Sequence, residues 1–280
     1  MAARYAFRPM SGSTVSRTAS SRQRVRVFVE DPELGSGLDP EARGAAEQIT
    51  APLLRIPRGH WDFKADPKRL GSHLGLLILD GLLVREVTVG EVACAELLGT
   101  GDILRPWTGA GAETASIRAL SSWEALEDMR VAVLDPRFAL QIARWPYVSA
   151  AIVDRVVIRA RWLAFHLAVC HVVGIEKRLV ILFWHLADRW GKVTPEGVRI
   201  ELPLSHGMIA KLVGSRRPTV TTAMGKLREE GVILRNGEGA WLLCGSPPED
   251  LRNVRGSVGA RELRKDISPT DATPKDPGGE

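Results

Sequence analysis

Gly214 stands between two short amphipathic segments, and few folds suit that arrangement. Ahead of it, Ile209, Leu212 and Val213 recur at helical spacing behind Ser205, a natural N-cap. Gly214 follows at once, where a helix must stop and the chain must turn through a left-handed residue. Ser215 then reads as the cap of a second helix, with Pro218 in its first turn, where a missing N–H costs little. Val220, Met224 (or Ala223) and Leu227 supply that helix's buried side, and small Ala210 lets the pair cross closely. The pattern predicts a helix-turn-helix, whose second helix lies in a DNA major groove.

The polar face of the second helix suits that use. Arg216, Arg217, Thr219, Thr221, Thr222 and Lys226 gather toward its N-terminal half, the end that meets base edges and phosphates. Ser205 and Ser215 complete the candidate DNA contacts. Between Ser205 and Arg235 six bases face two acids, a formal +4, so much of the chain's net +5 sits in one segment. Beyond Gly231, Val232-Ile233-Leu234 and Ala240-Trp241-Leu242-Leu243 read as strands joined by the turn Asn236-Gly237-Glu238-Gly239. Helix, turn, helix and hairpin predict a winged helix-turn-helix. An ordinary helical hairpin with a basic surface would not need cap, glycine, small residue and wing to agree.

The rest of the 280 residues is long enough for a second domain and a large core. No run reaches the roughly 18 apolar residues of a membrane span; Trp162 to Ile175 is interrupted by His166 and His171 and reads as a buried helix. Cys94, Cys170 and Cys244 are far apart and lack metal or pairing spacing, which suits a reducing cytoplasm. Residues 1–22 carry bases and no acids and read as a disordered basic arm; residues 246–280 read as a disordered tail.

From about residue 23 to 136 short apolar runs are broken by Gly, Pro and Asp. Leu53 to Pro57, Leu74 to Leu79, Leu82 to Val87 and Met129 to Leu134 read as strands, with Asp80-Gly81 as a hairpin-type turn. Val92 to Leu98 fits strand or short helix equally. Closely spaced strands predict an antiparallel barrel or roll. Residues 137–175 hold a short helix, Arg137 to Arg144, and a long one from Tyr147 to about Val173. The long helix is apolar nearly all round, so more than one face needs cover, most simply from the same helix of a second chain. Arg155, Arg159 and Arg161 interrupt the stripe and are placed to flank that seam. Residues 176–245 hold a further helix, Glu176 to Trp190, a strand from Val198 to Leu202, and the winged helix-turn-helix.

The order of antiparallel β-roll, long central helix and C-terminal winged helix, an α+β fold, resembles the CRP/FNR family of bacterial transcription regulators. The resemblance is strongest from Ile209 to Val220, where Arg217, Thr219 and Val220 match the family pattern. The family's Glu position is Pro218 here, and its second base-reading Arg falls at Thr222, so readout of cytosine by Glu is lost. Gly99-Thr100-Gly101-Asp102 resembles the turn of the family's cyclic-nucleotide-binding fold. The phosphate cassette departs from it: Arg105-Pro106-Trp107 follows the turn, and Glu113-Thr114-Ala115-Ser116-Ile117 is the best match to the segment that carries the phosphate-neutralising Arg. An acid there repels a phosphate, so no useful affinity for cyclic AMP is expected. Three scattered cysteines do not suit the iron–sulfur cluster of the redox branch. Haem stays open, because His60, His73, His166, His171, His185 and His206 are available. His166 and His171, five apart, do not stack as a metal pair.

The resemblance implies a homodimer, effector unknown, that binds pseudo-palindromic double-stranded DNA in the cytoplasm, with RNA polymerase as a further partner of an activator. An effector-independent or non-specific DNA binder is the nearest alternative. An enzyme on a β-barrel is more remote, since no phosphate loop, catalytic triad or metal spacing is found.

Overall fold

The computed structural model of the chain describes residues 23–63, 74–106, 116–117, 119–236 and 239–248. The basic arm, residues 249–280 of the tail, Trp107, His73, the Glu113-Thr114-Ala115 match and the Gly237-Glu238 turn lie outside them. The described residues form two compact units, one of residues up to 182 with 203–225, the other of 183–202 with residues from 226.

The first unit opens with β1 (Arg24–Arg26), α1 (Val27–Glu30), a 3-10 turn (Pro32–Gly35) and α2 (Pro40–Ala46). β2 (Thr50–Ile56), β3 (Gly59–His60), β4 (Gly75–Asp80), β5 (Leu83–Val89), β6 (Val92–Leu98), β7 (Ile103–Leu104), β8 (Ala119–Ala125) and β9 (Met129–Leu134) follow. They make two antiparallel sheets, ordered β1-β2-β9-β4-β7 and β3-β8-β5-β6. Val92 to Leu98 is a strand.

β4 shows why its sequence is a continuous apolar run. Leu76 and Ile78 face Leu83, Leu98 and Trp123 of the other sheet. Leu77 and Leu79 face the opposite way, into a cluster with Phe28, Phe138, Val148 and Ile152. Both faces of this sheet are covered, so alternation disappears. The same burial corrects the expected Asp80-Gly81 hairpin: β4 and β5 belong to different sheets, and the turn is a crossing between layers. Gly81 is needed there, with φ +96° and a would-be Cβ 2.7 Å from Met129 Cγ.

α3 (Pro136–Ile142) is capped by Asp135, whose Oδ1 accepts from Phe138 N at 2.8 Å. α4 (Pro146–His171) and α5 (Ile175–Trp190) follow. Two of the three arginines expected beside a seam turn inward instead. Arg155 donates to Asp31 Oδ1 at 2.9 Å, Glu33 Oε2 at 3.0 Å and the Gly101 carbonyl at 2.9 Å; Arg159 grips Glu96. Their acids lie on the roll, so these arginines fasten the long helix to it. The side left open carries Val153, Val156, Val157, Ala160, Leu163, Ala164 and Leu167, all exposed. Val153 is 59% and Leu167 64% exposed, a large apolar outlay for a solvent-facing helix.

The first unit also holds α6 (His206–Leu212) and the start of α7 (Arg217–Glu229). The second unit carries a four-stranded antiparallel sheet: β10 (Gly191–Thr194), β11 (Gly197–Ile200), β12 (Ile233–Arg235) and β13 (Trp241–Leu243), ordered β10-β11-β13-β12. Phe183 meets the Trp241 ring edge-on at 5.2 Å in its core. Asn236 closes the β12–β13 connection, its Oδ1 accepting from Ala240 N at 2.9 Å.

Candidate nucleic-acid interface

Ser205 caps α6 as expected, its Oγ accepting from Met208 N at 3.2 Å. Gly214 adopts φ +61°, and Ser215 N donates back to the Ala210 carbonyl at 2.8 Å, closing the helix in a Schellman turn. The expected cap position moves from Ser215 to Arg216, whose carbonyl accepts from Val220 N at 3.1 Å. α7 begins at Arg217, so the residue before it is Arg216, while the Ser215 amide is spent on the end of α6. Pro218 occupies the second position of α7, where no partner for its nitrogen is required.

Two residues that sequence reasoning overlooked brace this turn. Arg178 Nε donates to the Val172 carbonyl at 2.6 Å and Nη1 to Val213 O at 3.4 Å, tying the end of α4 to the end of α6. Cys170 packs against Gly214, where a Cβ would lie 3.1 Å from its Sγ. Burial pushes the Cys170 thiol above its ordinary range, as for a packing residue rather than a nucleophile. Lys211, counted in the basic footprint, pairs its Nζ with the Glu86 carboxylate on β5, so one of the six charges is engaged within the chain.

α7 buries Val220, Ala223, Met224 and Leu227, and both alternatives for its middle position are inside. Arg216, Arg217, Thr219, Thr221, Thr222 and Lys226 are exposed along its other side; Ser205 is exposed and Ser215 half-buried. The threonine hydroxyls turn back onto the helix. Thr221 Oγ1 donates to Arg217 O at 3.0 Å and lies 3.1 Å from His206 Nδ1, while Thr222 Oγ1 donates to Pro218 O at 3.2 Å.

A second candidate site lies in the roll. A cavity of about 300 Å³ is bordered by Arg85, Arg105, Trp123, Ile152, Val156 and Arg159. Glu96 lies between two of these guanidiniums, 2.6 Å from Arg159 and 3.7 Å from Arg85. Arg85 Nε and Trp123 Nε1 are buried donors without a hydrogen-bond partner among the described residues. Arg85, Arg105 and Arg159 border the cavity, and the buried carboxylates of Glu96 and Asp102 both act on Arg159. The Gly99–Asp102 turn nearby is closed by Asp102 Oδ2, which accepts from Gly99 N at 2.8 Å. All three cysteines are free, and among the described residues no group of three His, Cys, Asp or Glu converges as a metal site.

Comparison with known proteins adds to this geometry. A family profile described as a Crp-like helix-turn-helix domain matches residues 177–244. The global nitrogen regulator of Synechocystis sp. is 46% identical over 56 residues, which are 20% of this chain and 25% of that protein. That of Synechococcus elongatus is 45% identical over an equal length. The chain thus spans about a quarter of the length of these curated relatives. Among solved structures, a CooA variant from Carboxydothermus hydrogenoformans superposes with a TM-score of 0.53 at 19% identity, over 69% of this chain and 83% of that one. FixK2 from Bradyrhizobium japonicum gives 0.52 at 15%, over 70% and 93%. Domain match and fold agree: residues 177–244 are similar to a Crp-like helix-turn-helix domain, and the fold is similar to that of CooA and FixK2.

Proposed function

We propose that the protein is a homodimeric, sequence-specific DNA-binding transcription regulator of the CRP/FNR type. The observation that carries the dimer is the open side of α4. Val153, Ala160 and Leu167 recur every seven residues, with Val156 and Leu163 between them, the spacing of a two-helix seam. A twofold axis along that seam pairs two copies of α7, which then read half-sites about 34 Å apart on a pseudo-palindrome. Ser205, Ser215, Arg216 and Thr219 serve as backbone contacts, with Arg217 as the principal base reader and Lys226 as a phosphate contact. Sedimentation of the full chain gives a dimer, and Ala160→Glu with Leu167→Glu gives a monomer with at least a hundred-fold weaker operator binding. A wild-type monomer that binds operator with full affinity overturns the proposal.

The arginine-lined cavity supports a second element of this reading, a small anionic effector that satisfies Arg85 Nε and Trp123 Nε1. Cyclic AMP remains outside that class, because the family's phosphate cassette is not matched. Calorimetry with cyclic AMP shows no micromolar binding on this view.

A further inference from the structure

α7 reads DNA with an unusual set of side chains. Before its last residue, Glu229 at the far C-terminal end, it contains no Asp, Glu, Asn or Gln, the types that pair with the edges of cytosine and adenine. Its line farthest from the buried residues Val220, Ala223, Met224 and Leu227 runs through Pro218, Thr222 and Gly225, at helical spacing of four and three. Pro218 has no donor. Thr222 has spent its hydroxyl hydrogen on the Pro218 carbonyl, and Thr221 has spent its own on Arg217. From Pro218 to Gly225 this line offers a base edge no donor: a pyrrolidine ring, the Thr222 methyl group and, beside it, the acceptor lone pairs of the Thr222 oxygen.

Gly225 is an independent clue. A glycine inside a helix costs about 1 kcal/mol relative to alanine. A Cβ built at Gly225 meets nothing within 4 Å, so no contact inside the protein requires its small size. A close approach from outside would, and Gly225 lies on the same line.

We propose that α7 selects its sites by apolar contact, with Pro218 and the Thr222 methyl packed against thymine C5 methyl groups while Gly225 lets the groove wall come close. Direct readout then divides in two: arginine for guanine, methyl contact for thymine. This inference rests on the reading of α7 as the recognition helix.

The test starts from duplexes selected by the full-length protein from a randomised pool. Each thymine is then replaced by deoxyuridine, which lacks only the C5 methyl. At least one thymine per half-site loses about three- to five-fold in affinity, the worth of one buried methyl group. Thr222→Val keeps that sensitivity at every thymine, and Thr222→Ser loses it at the thymine that Thr222 covers. Gly225→Ala raises the melting temperature of the free protein yet weakens operator binding by more than about five-fold, the cost of forcing a methyl into a filled contact. A preferred sequence without methyl sensitivity, sensitivity undiminished at every thymine in Thr222→Ser, or unchanged binding by Gly225→Ala overturns this proposal alone. A pool that yields no preferred sequence overturns the regulator reading with it.

Discussion

Glu96 and Arg159 form a two-pronged ion pair between the roll and the long helix, with Arg159 Nε 2.6 Å from Oε1 and Nη2 2.8 Å from Oε2. Glu96 is only 8% exposed and has a second guanidinium, Arg85, at 3.7 Å. The two ends of the pair are therefore not equivalent. Glu96→Ala leaves two arginines facing each other without their carboxylate, and a loss of about 3–5 kcal/mol is expected. Arg159→Ala leaves Glu96 with Arg85 and should cost about 1–3 kcal/mol. Urea denaturation of both variants checks the order, and equal losses would show that Arg85 does not support Glu96.

Gly214 couples backbone geometry to packing. Its φ of +61° is strained for any residue with a side chain, and its would-be Cβ is already at 3.1 Å from Cys170 Sγ. Gly214→Ala should lower stability by about 1–2 kcal/mol and weaken operator binding as the angle between α6 and α7 shifts. Gly214→Ala with Cys170→Ala relieves the contact but not the strain. In thermal denaturation it should recover only part of the melting temperature.

Much of this architecture is legible in the chain, and the exceptions share a cause. The capped α6, the Gly214 turn and the buried side of α7 depend on neighbours a few residues away, so local pattern suffices. β8 was not foreseen because only Trp123 and Ala125 of its seven residues are buried, leaving no alternation to read. The inward turn of Arg155 and Arg159 depends on Asp31, Glu33 and Glu96, which are 63 to 124 residues away in sequence. An arginine on an apolar helix looks the same whether it flanks a seam or anchors a sheet. The direction of the Thr221 and Thr222 hydroxyls is likewise a matter of rotamer, which composition does not record.

His166 gives the fold an acid-side weakness. Burial holds its imidazole below the ordinary histidine pKa, more strongly than the nearby Glu96 charge raises it. The folded state therefore favours neutral His166, and the unfolded chain takes up the proton first as pH falls. The contribution is fully present above about pH 6.5 and is lost progressively below it. His166→Gln should flatten the decline in melting temperature between neutral and mildly acidic pH. An unchanged profile would assign the acid sensitivity to other groups.

Arg217 and Lys226 are both exposed on α7, nine residues apart and so on opposite flanks, and they should fail differently when removed. Arg217 is near the N-terminal end, where a guanidinium can reach the two acceptors of a guanine edge. Its loss should cost about 1–3 kcal/mol and relax the preference at one base pair per half-site. Lys226, two and a half turns further on, is the proposed phosphate contact. Lys226→Ala should weaken all duplexes alike and reduce the slope of log affinity against log salt by about one per bound site. Fluorescence anisotropy with operator and scrambled duplexes over a salt series separates the two. If Arg217→Ala lowered both duplexes equally, with a shallower salt slope, Arg217 would be a phosphate contact. Sequence reading by α7 would then fall to its apolar line alone.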